Sequence, residues 1–573
     1  MIATRTALQE RVSPQVAVWL AFGSILALAA VLRLVGLRSR GTWDADQGHD
    51  LLVLRDFVQH GQIPLLGPPT SIGDFHHGML YYVLLAPAAA VSGADPTAVT
   101  AWIAIGGIVA VAVTFWLGRA IAGPIAGLVA ALLMAVSASA VEESTFIWNP
   151  NLIALSSSIA LAAAWRAWQS GRAWWWVVAG AAAVVTMHLH VLGVALTPVV
   201  AGLLVADLVR RQRDRDRAGV AAIVTAIGWW LVLALASYVP LIVHEATNDA
   251  SELRAAIAFL TGGGEPATTS LPARIPIVAL RVLGWPLTGL ITAAPIATLL
   301  VASLVMLFTV WRGWFVQPRD PAGDDERAGV RWLGLGLLWT VVALSVGASS
   351  LATVVLGLPN DHYHAFADPM VFVLVGVGVA GLVRLGRPAD DRVPPRNAGA
   401  AADGEATGPT DDATSAIDWP VVLRRAGSIA AAGTVVILVA WNLLHQPPLV
   451  AADGGWPAAE IAASRVATAV GSGPIVLDSL PAPKSADALR FPLERLVPPG
   501  TVDPSRAEAP VASDVALVIL CDQLFHETLG ADCGGPAEDQ RAAALTAGTT
   551  ARTLTDRFEA APGRWISIYA PTT

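Results

Sequence analysis

Apolar runs about the length of a bilayer crossing recur from one end of this chain towards the other, and only a bundle of membrane helices buries that many of them. They lie near residues 16–37, 97–117, 122–141, 151–168, 173–187, 191–208, 219–243, 284–311, 332–357, 369–386 and 420–443. Eleven such stretches predict an all-α polytopic membrane protein of about eleven transmembrane helices. Composition agrees, since 14% of the 573 residues are charged where soluble domains carry about 25%. The first run is longer than the apolar core of a secretory signal, so it reads as an uncleaved first span. A twelfth stretch, "MLYYVLLAPAAAVSG" at 79–93, is short and holds a proline; it is a span or an interfacial helix.

Arginine placement decides between those two, because counting 79–93 as a span flips every later loop. Kept on the outer side, it leaves Arg119, Arg166, Arg172, the cluster "RRQRDRDR" at 210–217, Arg312 to Arg331 and Arg384 to Arg425 all cytoplasmic. The short outer loops near 142–150, 188–190 and 358–368 then hold no arginine. The N-terminus is therefore expected inside a plasma membrane. Residues 1–386 form the membrane body in this reading, 387–419 an Ala-, Pro-, Gly- and Asp-rich cytoplasmic linker without packing residues, and 420–444 the last span. From 445 to 573 hydropathy falls, and short apolar runs such as "PIVLDSL" (474–480) and "VALVILC" (515–521) alternate with helical patterns. That predicts a small extracytoplasmic α/β domain. Cys521 and Cys533 both fall in it, and on the oxidising side either pair or remain two unrelated thiols. The net charge of −8 shows no nucleic-acid footprint.

This topology gathers on one side the polar groups that membrane chains rarely tolerate. Asp44, Asp46, His49 and Asp50 lie in the first outer loop, "WDADQGHD", followed by His76 and His77. Glu142, Glu143, Asn149 and Asn151 flank the next outer turn, His188 and His190 the one after, and Asn360, Asp361, His362 and His364 the last. Ionisable groups at helix ends around a common cavity mark a functional site. Each also has an ordinary explanation: a loop acid solvated by water, an interfacial histidine, a helix-end glutamate. Tyr81 and Tyr82 read as interfacial anchors of the aromatic belt. Convergence carries the functional reading.

The stretches "WDADQGHDLLVLRDFVQHGQIPLLGP", "FHHGMLYYVLLAP", "FIWNPNLIAL", "MHLHVLG" and "DHYHAFADPMVFVLVGVGVAGL" together resemble the bacterial branch of GT-C glycosyltransferases. That branch includes relatives of the protein O-mannosyltransferases and of the lipid A aminoarabinose transferases. The resemblance covers roughly Val16 to Leu382 and omits the C-terminal domain. It implies transfer of a sugar from a polyprenyl-phosphate donor to an acceptor hydroxyl outside, on cell-envelope glycan, lipid or protein, with inversion. Asp46 matches the family's first-loop acid; Gln47 stands where a second acid is usual, and Asp44 is the substitute. His76 or His77 takes the histidine of the family's "HPPLYY". Asn149 and Asn151 in "WNPN" replace an Arg-Pro-Asp segment, and His362, Tyr363 and His364 replace an Arg-Tyr pair near the donor phosphate. His49, Arg55 and His190 complete the expected substrate contacts.

Such a transfer needs a carboxylate to take the acceptor proton, for which Asp46 is the candidate with Asp44 as its alternate. The departing phosphate needs donors or positive charge. All basic residues but Lys484 are arginine, so with no lysine expected nearby the candidates are His76, His77, His362, His364, Arg55, Arg254, Arg274 and Arg281. A divalent metal, Mg or Mn, bridging Asp44 or Asp46 to the phosphate is the other solution. Three rival functions remain: a secondary transporter, disfavoured by acids at helix ends and the absence of a repeat; a membrane sensor or assembly factor; and a polysaccharide ligase.

Overall fold

The computed structural model describes residues 13–70, 75–259, 261, 269–318, 320–348, 351, 361–385, 419–481, 484–523, 532–549 and 552–571. The 387–419 linker lies outside them except for its last residue. Every run expected to span is mainly helical where described. Among the described residues eight helices are long and apolar enough to cross a membrane: Pro14–Leu34, Pro96–Ala122, Val191–Arg213, Arg217–Ser237, Pro295–Phe315, Pro321–Gly347, Asp361–Val383 and Trp419–Leu444. Pro124–Val136 and Trp174–Leu189 are apolar but shorter, and Ile153–Ser170 is diluted by Ser156, Ser157, Ser158, Arg166 and Gln169. The 284–311 run divides at Gly289, whose φ of 75° ends Leu271–Thr288 before Pro295 restarts the chain.

Local chemistry sets the starts. Ser13, Asp95 and Asp320 each cap a helix that opens on proline, accepting the Val16 N–H at 3.3 Å, the Ala98 N–H at 3.0 Å and the Gly323 N–H at 2.7 Å. Asp368–Val383 is buried on all sides and has no polar face, so it runs down the middle of the bundle. Glycines let neighbours close on it: a Cβ at Gly376 would stand 2.3 Å from the Ala126 carbonyl oxygen.

Arginines and polar loops separate to opposite ends. Arg119 lies over Trp19 near the start of the first span, and Arg312 and Arg384 share Glu326. The helix Leu80–Ser92 begins and ends at the other, loop end: Gly78 before it donates to the His188 carbonyl at 3.0 Å, and Pro96 and Thr97 after it lie alongside Leu37 and Trp43. It therefore does not cross.

The C-terminal α/β domain sits on this loop end. Its five strands are β1 (Ile475–Leu480), β2 (Val502–Arg506), β3 (Ala516–Asp522), β4 (Arg552–Ala561) and β5 (Arg564–Pro571), in the order β2-β1-β3-β5-β4. β1 runs parallel to β2 and β3, while β5 is antiparallel to β3 and β4. The apolar runs 474–480 and 515–521 are β1 and β3, whose burial on both faces explains their unbroken hydrophobicity. Cys521 and Cys533 are disulfide-bonded with Cα atoms 5.5 Å apart.

Candidate active site at the loop end

The segment "WDADQGHD" is the start of a helix, Ala45–His60, lying outside the spans. Asp44 is its N-cap: the carboxylate accepts from the Ala45 N–H, while Gln47 accepts the Asp44 N–H at 2.8 Å. This capping box satisfies donors that a helix start leaves open. Gln47, the residue in place of a second acid, also donates to the Ile147 carbonyl at 2.8 Å and ties the helix to the "WNPN" turn. Asp50 faces inward, accepting Tyr81 Oη–H at 2.7 Å and Tyr82 Oη–H at 2.9 Å. Both tyrosines are fully buried, so the reading as interfacial anchors is corrected. Burial pushes the Asp50 carboxyl up to about 7, against its neighbour His49 and the two phenols.

Asp46 is different. Its side chain is exposed, and among the described residues it makes no hydrogen bond or ion pair, yet protein crowds it enough that desolvation raises its carboxyl above the usual range. Lys484 opposes that rise and Asp44 adds to it. An open carboxylate with raised basicity is the expected form of an available proton acceptor.

The expectation that no lysine stands nearby is wrong. Lys484 Nζ lies 3.6 Å from Asp44 Oδ2, with Arg564 Nη2 3.9 Å from the other oxygen. A contact across 440 residues has no local sequence signal. The same domain takes up two other predicted substrate contacts, His49 on Asp487 at 3.3 Å and Arg55 on Glu494 at 2.7 Å. Trp43 donates to the Ala488 carbonyl at 2.7 Å. With Asp44 capping a helix and facing two cations, its donor set does not fit a divalent ion. Among the described residues no three His, Cys, Asp or Glu side chains are placed to hold one.

A second cluster adjoins through Gln47. Trp148 packs on His362 at 4.3 Å between ring centres, and His190 on His77 at 4.8 Å, Tyr363 at 4.9 Å and His362 at 5.4 Å. His77 is buried and its imidazole is driven down to about 3, so it stays neutral at physiological pH and offers a hydrogen bond, not a charge. Its Nδ1 accepts the Val191 N–H at 3.3 Å. Asn149 donates to the Leu189 carbonyl at 2.5 Å, and Asn151 to Phe146 at 2.7 Å. His188 meets Ser237 at 2.9 Å.

The remaining predicted residues stand apart. His76 pairs with Glu252 at 3.0 Å. His364 is buried on Asp361 at 3.1 Å, and Asp361 is also gripped by Arg281. Arg33, in the first span, passed unnoticed in the sequence: it donates to the Ala135 and Met134 carbonyls at 2.8 and 3.1 Å, closing the end of the short helix Pro124–Val136.

No family model matches this sequence, and no curated protein does. Solved structures do. The chain is similar to ArnT from Cupriavidus metallidurans bound to undecaprenyl phosphate, with 14% identity, a TM-score of 0.53 and coverage of 96% of this chain and 98% of that one. The apo state of ArnT gives the same identity and TM-score over 97% and 98%. The fold is that of the GT-C glycosyltransferases. The archaeal oligosaccharyltransferase AglB from Archaeoglobus fulgidus is more distant, at 12% identity, TM-score 0.46, and 90% and 70% coverage. The GT-C likeness to ArnT extends over the C-terminal domain, which the sequence resemblance did not reach.

Proposed function

We propose that this protein is a membrane glycosyltransferase that moves a sugar from a polyprenyl-phosphate donor to an extracytoplasmic acceptor hydroxyl with inversion, using Asp46 as base. One observation carries the reading: of the acids in the first turns of Ala45–His60, Asp44 and Asp50 are engaged by protein groups and Asp46 alone is open. The GT-C fold supports the enzyme class, and the ArnT structure holding undecaprenyl phosphate supports the donor class. Asp46 removes the acceptor proton as the glycosidic bond forms, and its raised basicity suits that task. The sugar–phosphate bond breaks on the opposite face, and the electron pair leaves on the phosphate. The imidazoles of the cluster around His77, His190 and His362, with the Tyr363 hydroxyl, supply hydrogen-bond donors where that charge grows. No step passes through a metal.

The loop end faces outward in this proposal, because the arginine-bearing ends of Arg119, Arg312 and Arg384 belong inside. Mass analysis of envelope glycans, lipids and glycoproteins from cells with and without the gene tests the reading. A glycan short of one sugar in the deletion strain is expected; identical profiles from strains in which the protein is expressed contradict it.

A further inference from the structure

The loop after β1 brings the chain's sole lysine, from a domain outside the membrane body, to the helix start that bears the candidate base. β1 is the point where the sheet order reverses: the chain moves from β1 to β2 on one side and then to β3 on the other. In open α/β sheets the crevice beyond the strand ends at such a reversal is where ligands are handled. Here that crevice faces Ala45–His60. Lys484 leaves β1 towards Asp44, Arg564 at the start of β5 reaches the Trp43 carbonyl at 2.6 Å, and the Asp487 carbonyl lies so close to Gly48 that a Cβ there would stand 2.1 Å from it.

We propose that Lys484 is a positioning residue of the transfer site, delivered by the C-terminal domain and anchored on Asp44 to hold the Asp46 carboxylate charged and in register, so that docking of the domain and competence of the base are one event. The proposal rests on the reading of Asp46 as base. Among the described residues the titratable groups facing Asp46 are Asp44, His49 and Asp50 at the start of its own helix, Tyr81 and Tyr82 from Leu80–Ser92, and Lys484 from the β1 loop; Asp487 acts through His49 and Arg564 through Asp44. Two carboxylates two residues apart repel, and a cation held within about 4–6 Å offsets that. Lysine suits the task as a compact charge on a flexible stem, here 21% exposed.

The test uses the full chain in lipid, labelled with 13C-aspartate, and compares wild type, Lys484→Gln, Lys484→Arg and Asp46→Asn. Infrared difference spectra across pH, with Asp46→Asn assigning the band, give the titration of Asp46. Lys484→Gln is expected to move that titration up by about one pH unit and Lys484→Arg to leave it near wild type. Transfer of radiolabelled polyprenyl-phosphate sugar to a crude envelope fraction should show the same displacement of the acid limb, with KM for the donor unchanged. An Asp46 titration unmoved in Lys484→Gln overturns the proposal, as does a change confined to donor KM. Full transfer by Asp46→Asn overturns the assignment of the base instead, so the two failures are distinct.

Discussion

Asp50 shows how a residue in the middle of the candidate site differs from the candidate base beside it. It is buried under two tyrosine hydroxyls and titrates near 7, far above the ordinary 3.8. A group whose folded value is raised contributes stability that is fully present below the unfolded value and is lost as pH rises through the folded one. The protein should therefore lose thermal stability between pH 3.8 and about 7, and Asp50→Asn should flatten that slope in a melting series. A slope unchanged by the substitution would count against the buried pair. Tyr81→Phe strips one donor from the carboxylate and should cost about 1–3 kcal/mol, read in the same series. Four residues away, none of this applies to Asp46, which among the described residues has no hydrogen-bond or ion-pair partner to lose. The sequence made Asp46 visible as an acid after a span, but not the difference between the three aspartates. Capping by Asp44 and phenol contacts to Asp50 depend on where the helix starts and which face turns inward, and "DADQGHD" has too weak an apolar period to fix either.

The helix Ala45–His60 belongs as much to the C-terminal domain as to the bundle. His49 is raised chiefly by its hydrogen bond to Asp487, and Asp487 is lowered by His49 against the opposing effect of burial. The His49 contribution is present at low pH and lost as pH rises through its raised value; the Asp487 contribution is lost as pH falls through its depressed one. Docking should thus be firmest between those limits, and hydrogen exchange over 45–60 and 487–494 should quicken as pH climbs past the histidine. Exchange indifferent to pH would remove this pair from the interface. Gly48→Ala places a methyl against the Asp487 carbonyl and should cost about 1–3 kcal/mol of packing, with faster exchange confined to the same two helices. Spans and buried strands were legible because lipid and a covered sheet both demand continuous apolar runs. The interface was not, because its partners, such as His49 and Asp487, lie 438 residues apart and each reads locally as a solvated charge.

Across the whole molecule the polar loops and the C-terminal domain share one end of the bundle, and most arginines on span ends share the other. The exceptions explain themselves: Arg33 caps helix carbonyls and Arg38 pairs with Glu460 at 2.6 Å. A single cysteine at exposed position 142 or 503 should react with an impermeant thiol reagent in intact cells, and one at 214 should not; the reverse pattern would invert the topology. The recurring apolar runs were enough to read a helical membrane bundle from the sequence, whereas no residue pattern disclosed that the C-terminal domain packs on the start of the helix Ala45–His60. The most direct test of the account is transfer itself. Purified protein in lipid, given a radiolabelled polyprenyl-phosphate sugar and a crude envelope acceptor fraction, should lose roughly 100- to 10,000-fold in rate on Asp46→Asn while still binding the lipid donor; transfer at the wild-type rate by that variant would contradict the assignment of Asp46 as the base.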